Sequence, residues 1–115
     1  MREEREIVVF ITTSNIEEAE RIASALLDRR KAACVNIISG MRSLYWWKGR
    51  REEAEEVLLL VKTRSPLFPE LVKIVREIHS YEVPEIIALP IIQGYEPYLD
   101  WVEEETRSGS QQSQL

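Results

Sequence analysis

Residues 32–63 read AACVNIISGMRSLYWWKGRREEAEEVLLLVKT. Two apolar, β-prone runs flank a short polar insert, Lys48-Gly49-Arg50-Arg51. That is the pattern of a long β-hairpin, with Gly49 where a positive φ is called for. The first arm is too long for an ordinary strand, so a bend or bulge is expected at Ser39-Gly40. Strand alternation places Tyr45 and Trp47 on one face of the arm and Leu44 and Trp46 on the other. Bulky rings on both faces of a strand tip exceed what one small domain can cover. The arm is therefore expected to reach beyond its own subunit, with Trp47 buried against a neighbour.

Working outward, Ile7 to Thr13 (IVVFITT) reads as a first strand. Ser14 and Glu17 then form a capping-box pattern, with Ser14 as the N-cap. Ile16, Ala19, Ile22, Ala23, Leu26 and Leu27 recur at helical spacing to about Arg30, and Arg29, Arg30 and Lys31 complement the negative helix end. After the hairpin, Ser65-Pro66 marks a second helix, delayed by a turn at Pro69, with Leu71, Ile74, Val75 and Ile78 as its buried stripe. Residues 79–85 (HSYEVPE) leave that helix. Ile86 to Ile92 reads as a fourth strand, and Pro90 implies an edge or a bulge. Pro97 opens a short last helix carrying Tyr98, Trp101 and Val102. Ser108 to Leu115 is polar, has little to bury and is expected to be disordered.

The chain of 115 residues is long enough for one domain with its own core, expected over residues 1–107. A net charge of −5 argues against a nucleic-acid surface. A single cysteine excludes an intramolecular disulfide and suits a reducing compartment. The N-terminus lacks the pattern of a signal peptide, and no apolar run approaches membrane-spanning length, so a cytoplasmic protein without membrane contact is expected.

The order β-α-β-β-α-β is the ferredoxin-like arrangement, an α+β sandwich, here with an extended central hairpin and a short C-terminal helix. Right-handed crossovers put both helices on one face of the sheet. Yet IVVFI, VLLLV and IIALPII are apolar at nearly every position, as in strands buried on both faces. Two helices cover one face, and the last helix can cover part of the other. The simplest cover for the rest is a second copy of the same sheet.

Five collinear pieces resemble the CutA family of divalent-cation-tolerance proteins. They are Ala33-Cys34-Val35-Asn36, Ser43-Leu44-Tyr45-Trp46-Trp47-Lys48-Gly49, Val61-Lys62-Thr63, residues 79–85 (HSYEVPE), and Tyr98-Leu99-Asp100-Trp101. The resemblance spans roughly Ile7 to Thr106. It implies a homotrimer of ferredoxin-like subunits interlocked through the hairpin, an architecture like that of PII signalling trimers, cytoplasmic residence, and a link to copper and other divalent metals. One departure stands out. Some bacterial members carry further cysteines, including one in the first strand, where this chain has Ile11, so a site needing two thiols per subunit is absent.

Cys34 reads either as a small buried hydrophobe or as a soft metal ligand. His79, the only histidine, either caps a helix end or supplies a nitrogen donor. The resemblance points to both positions. One histidine and one cysteine cannot fill a coordination sphere, so further donors, Glu85 or water, would come across a subunit boundary. Tyr45, Trp47, Tyr81, Tyr98 and Trp101 read first as interface and core aromatics. With Lys62, Glu85 and His79 they also suit the wall of a ligand cleft between subunits. Lys62 reads otherwise as a strand-end lysine in water. The runs Glu52-Glu53-Ala54-Glu55-Glu56 and Glu103-Glu104-Glu105 read as solvated charge. There is no Gly-rich phosphate loop, CxxC or HExxH, and no triad can be assembled, so no catalytic residues and no organic cofactor are expected. The leading expectation is a metal-tolerance protein binding copper or another divalent cation. The alternative is a PII-like module whose cleft takes a small molecule or a partner protein.

Overall fold

The computed structural model describes residues 6–107. Its elements run β1 (Glu6–Thr13), α1 (Ile16–Asp28), β2 (Cys34–Trp47), β3 (Arg50–Arg64), a 3-10 turn at Ser65–Leu67, α2 (Phe68–Ile78), β4 (Ile86–Pro90) and α3 (Glu96–Glu105). The strands form one antiparallel sheet in the order β2-β3-β1-β4. This is the expected α+β arrangement. Residues 108–115, expected to be a disordered tail, lie outside the described residues.

The β2–β3 connection is tighter than the polar insert suggested. Trp47 pairs with Arg50 and Trp46 with Arg51, so only Lys48 and Gly49 turn. Both have positive φ, 51° and 79°. That is the two-residue loop whose twist matches the twist of its strands. The expected bulge is present. Ile38 pairs with Leu58 and Met41 with Glu56, so Ser39 and Gly40 together face Val57, with Gly40 at φ 84°.

Helix α1 starts one residue later than the Ser14 cap implied. Thr13 still pairs with Val57, and Asn15 is the extended residue whose Oδ1 accepts from the Glu18 N–H at 2.8 Å. The buried stripe is Glu18, Ala19, Ile22, Ala23 and Leu26. Ile16 and Leu27 are at its exposed margins, because Glu18 takes the inward place at the first turn. Helix α1 ends through Arg30 at φ 58°, whose side chain reaches Glu105 at 2.7 Å. Lys31 meets Glu70 at 2.5 Å and holds that carboxyl below its ordinary range, tying α1 to α2.

Alternate residues of the central strands, Val9, Ile11, Val57, Leu59 and Val61, pack with Ile22, Leu26, Leu71 and Val75 into the core beneath α1 and α2. The other face is only partly covered. Arg64, paired with Glu6, donates from Nε to Thr106 Oγ1 at 2.8 Å, and Leu99 and Val102 of α3 are buried outside the helical core. Thus α3 covers the end of this face that carries Glu6 and Val8. Farther along, Ile38, Ile87 and Leu89 are 45%, 50% and 46% exposed, and Phe10, Leu58 and Leu60 are half-buried. Strand β4 stops at Pro90, short of Ile92, on the sheet edge where a missing N–H is tolerated.

The bulge can be tested directly. A Cβ on Gly40 would meet nothing within 4 Å, so only its backbone conformation resists substitution. Gly40→Ala is expected to lower stability by about 1–2 kcal/mol, and Gly40→Asn by less, since asparagine visits this region more readily. Thermal unfolding of the three proteins checks the order; equal midpoints would show that the bulge relaxes.

Candidate functional site

The bulge decides which hairpin side chains look into the second face. Before it, Cys34, Asn36 and Ile38 share that face with Lys62, Leu60 and Leu58. After it, the extra residue exchanges the faces, and Ser43, Tyr45 and Trp47 share it with Glu56, Ala54 and Glu52. There the hairpin overhangs residues 81–85, which leave α2. Between them lies a cleft of about 740 Å³, walled by Tyr45, Trp47 and Tyr81, with Glu56, Glu85 and Thr12 among its polar groups.

The floor is a buried polar network. His79 ends α2, its side chain fully shielded. Its Nε2 lies 2.6 Å from the Thr12 carbonyl, and its Nδ1 accepts from the Tyr81 N–H at 3.1 Å. A carbonyl only accepts, so the ring proton sits on Nε2 and both nitrogens are engaged. Glu18, 1% exposed, accepts from the Ser80 N–H and from the Ser80 hydroxyl at 3.0 Å, and lies 3.5 Å from His79 Nδ1. Tyr81 extends the network into the cleft, its hydroxyl donating to Glu56 Oε2 at 2.6 Å. Burial, then this bond to an acidic neighbour, pushes the Tyr81 phenol far above its ordinary range. Glu56, read as part of a solvated run, is 7% exposed and serves as that acceptor.

The expected site residues fall into two groups. Tyr45, Trp47, Tyr81 and Glu85 converge on the cleft, with His79 beneath it. Cys34, Lys62, Tyr98 and Trp101 lie elsewhere on the same face. Cys34 and Lys62 are in register with Val8, four residues along β1 from Thr12. Lys62 is not at the end of its strand. It lies within β3, half-buried, and its Nζ donates to Asn36 Oδ1. The Cys34 thiol points at the same oxygen at 3.9 Å. Tyr98 and Trp101 stack at 5.6 Å, and burial, with Cys34 nearby, raises the Tyr98 phenol.

As metal donors, Cys34, His79 and Glu85 do not form one group within the chain. Among the described residues, no three of His, Cys, Asp and Glu are grouped as a metal ion requires. Either ring nitrogen of His79 would have to give up its present backbone partner to bind an ion. A single chain therefore supplies donors but not a closed coordination sphere.

A ferredoxin-like sheet with a cleft beneath an overlong hairpin defines the structural class, and comparison with known proteins gives the family. A family model described as CutA1 divalent ion tolerance protein matches residues 7–105. The chain is 52% identical over 101 residues to the divalent-cation tolerance protein CutA of Thermus thermophilus, covering 88% of this chain and 98% of that one. It is 50% identical to mouse protein CutA over 88% of this chain but 57% of that protein, so it spans little more than half the length of its mammalian relatives. The solved structure of the periplasmic divalent cation tolerance protein CutA from Archaeoglobus fulgidus superposes with a TM-score of 0.86 at 44% identity, covering 89% of this chain and 99% of that one. The chain belongs to the CutA1 divalent ion tolerance family. Its relatives are named for ion tolerance or simply as CutA, not for a reaction, and a rice relative is named as chloroplastic. Among the described residues, no helix is long and apolar enough to cross a membrane.

The raised Tyr81 phenol fixes a sign. In the folded chain it stays protonated well above pH 10, where an unfolded tyrosine ionises. Its contribution is therefore complete below about pH 10 and is lost as pH rises beyond it. Tyr81→Phe is expected to cost about 1 kcal/mol at pH 8 and to flatten the loss of stability between pH 10 and 12. Urea unfolding at pH 8 and pH 11 checks both. An equally steep alkaline loss in the variant would mean that other groups cause it.

Proposed function

We propose that this chain is a divalent-metal-binding protein of ion tolerance that acts as a homotrimer, with copper its tightest-bound ion. The observation carrying this reading is the match, over nearly the whole of both chains, to a divalent-cation tolerance protein half identical to it. The uncovered apolar half of the sheet supports self-association, since Ile38, Ile87 and Leu89 gain most if another subunit covers them. Cys34 and Glu85 are the donors within reach of solvent or a neighbour. His79 joins them only by releasing Thr12 or Tyr81. Copper(II) leads the affinity order for such ligands. The lone cysteine suits a cytoplasmic setting, and no catalysis is assigned.

The second reading, a module binding a small molecule between subunits, is favoured by the cleft under the hairpin. Static light scattering at micromolar concentration is expected to give three times the 13.4 kDa chain mass, and a monomer would remove the architectural basis of both readings. Isothermal titration with copper(II) is expected to give no more than one ion per chain. Cys34→Ser and Glu85→Gln are each expected to weaken it at least tenfold, leaving assembly intact. If both bind copper like the parent, uptake is by scattered surface carboxylates and the second reading leads.

A further inference from the structure

We propose that the cleft beneath the hairpin binds an aliphatic ammonium ligand of the polyamine class. This inference rests on the second reading above and names the chemistry of its ligand.

Three features carry it. First, the lining includes the rings of Tyr45, Trp47 and Tyr81, and a cation lying over the face of such a ring is attracted to it. Second, the charges facing the space are mostly negative. Glu56, Glu82 and Glu85 contribute carboxylates, while Arg42, the cation among them, is paired with Glu53 at 2.9 Å. An anionic metabolite would meet three carboxylates, with Arg42 and the turn's Lys48 each already facing a glutamate. Third, the chain places an alkylammonium of its own at the mouth. Lys48 Nζ stands 5.5 Å from the centroid of the Trp47 ring and 3.9 Å from Glu82 Oε1. Its stem and charge copy one end of an extended amine. Elsewhere in the lining Glu85 is exposed and offers a carboxylate for a second charge, while Glu56 is bound to the Tyr81 hydroxyl. A ligand with several ammonium groups on an apolar chain uses both ends, whereas a compact metal ion gains little from the rings.

The arrangement makes an unusual demand on Lys48, which would compete with the ligand. Lys48 sits at positive φ, and asparagine there keeps the two-residue turn while removing the ammonium. The full chain, in whatever assembly it forms, is titrated with spermidine by calorimetry and tryptophan fluorescence. Tetramethylammonium, magnesium and citrate are run alongside at the same ionic strength. Saturable spermidine binding is expected, at least tenfold tighter than magnesium. Lys48→Asn is expected to tighten it several-fold, and Tyr45→Ala and Glu85→Gln to weaken it at least tenfold. Absence of saturable spermidine binding, or binding matched by magnesium, overturns the proposal, as does Lys48→Asn binding more weakly than the parent. If citrate binds instead, the small-molecule reading stands and the cationic ligand is wrong. If no probe binds and Trp47 is shielded from acrylamide in the assembled protein, a neighbouring subunit fills the cleft and both fail.

Discussion

Strand β3 must be buried from both sides. Its run Val57-Leu58-Leu59-Leu60-Val61 sends alternate side chains to opposite faces, and every one is apolar. The face under α1 and α2 is closed, with Leu59 and Val61 removed from solvent. The other receives α3 at one end only. Strand β1 shares the predicament, since Val8 and Phe10 look out opposite Val9 and Ile11. Much of the remaining architecture answers this constraint. Helix α3 is tied down by Arg30 to Glu105 and by Arg64 to Thr106. The hairpin projects past the sheet, and the molecule extends 50 Å in one direction against 29 and 23 Å in the others. Apolar surface of this kind drives association roughly in proportion to the area it removes from water.

The bulge at Ser39-Gly40 and the turn at Lys48-Gly49 set the cleft's chemistry. A straight β2 would have carried Leu44 and Trp46 into the second face. The inserted residue sends Tyr45 and Trp47 there instead, and Trp46 is left 71% exposed. Tyrosine and tryptophan combine an apolar body with a polar tip, which suits a partly wet cleft. Beneath them, the Glu18–His79–Ser80 network fixes residues 79–81 against β1. The aromatic wall thus has one rigid side and one side carried on a projecting hairpin.

The element order, the hairpin and the bulge were legible, and β4 was narrowed to an edge or a bulge, because each is written in local chemistry: β-prone apolar runs, helical spacing, a glycine at a turn or bend, or a proline. Boundaries shifted where tertiary groups intervened. Glu18 displaced Ile16 from the inward stripe because Ser80, far away in sequence, supplies its hydrogen bonds. Glu56 looked like its neighbours Glu52, Glu53 and Glu55, and only contact with Tyr81 sets it apart. The cleft was legible as a set of aromatics but not as a place. Register alone separates Cys34 and Lys62, opposite Val8, from the group near Thr12.

The two-residue loop between β2 and β3 also bears on how the chain reaches its structure. Hairpins closed by so short a loop form within microseconds, because few residues must be ordered before the first cross-strand bonds form. Pairing of β1 with β3 instead joins residues some fifty positions apart, a closure with a larger entropy cost. In a chain with only the hairpin formed, both faces of β3 would be open to water and to other chains. The glutamates of β3 flank its apolar run Val57–Val61, the position in which charge hinders mispairing of such a strand, in addition to whatever these residues do in the finished fold.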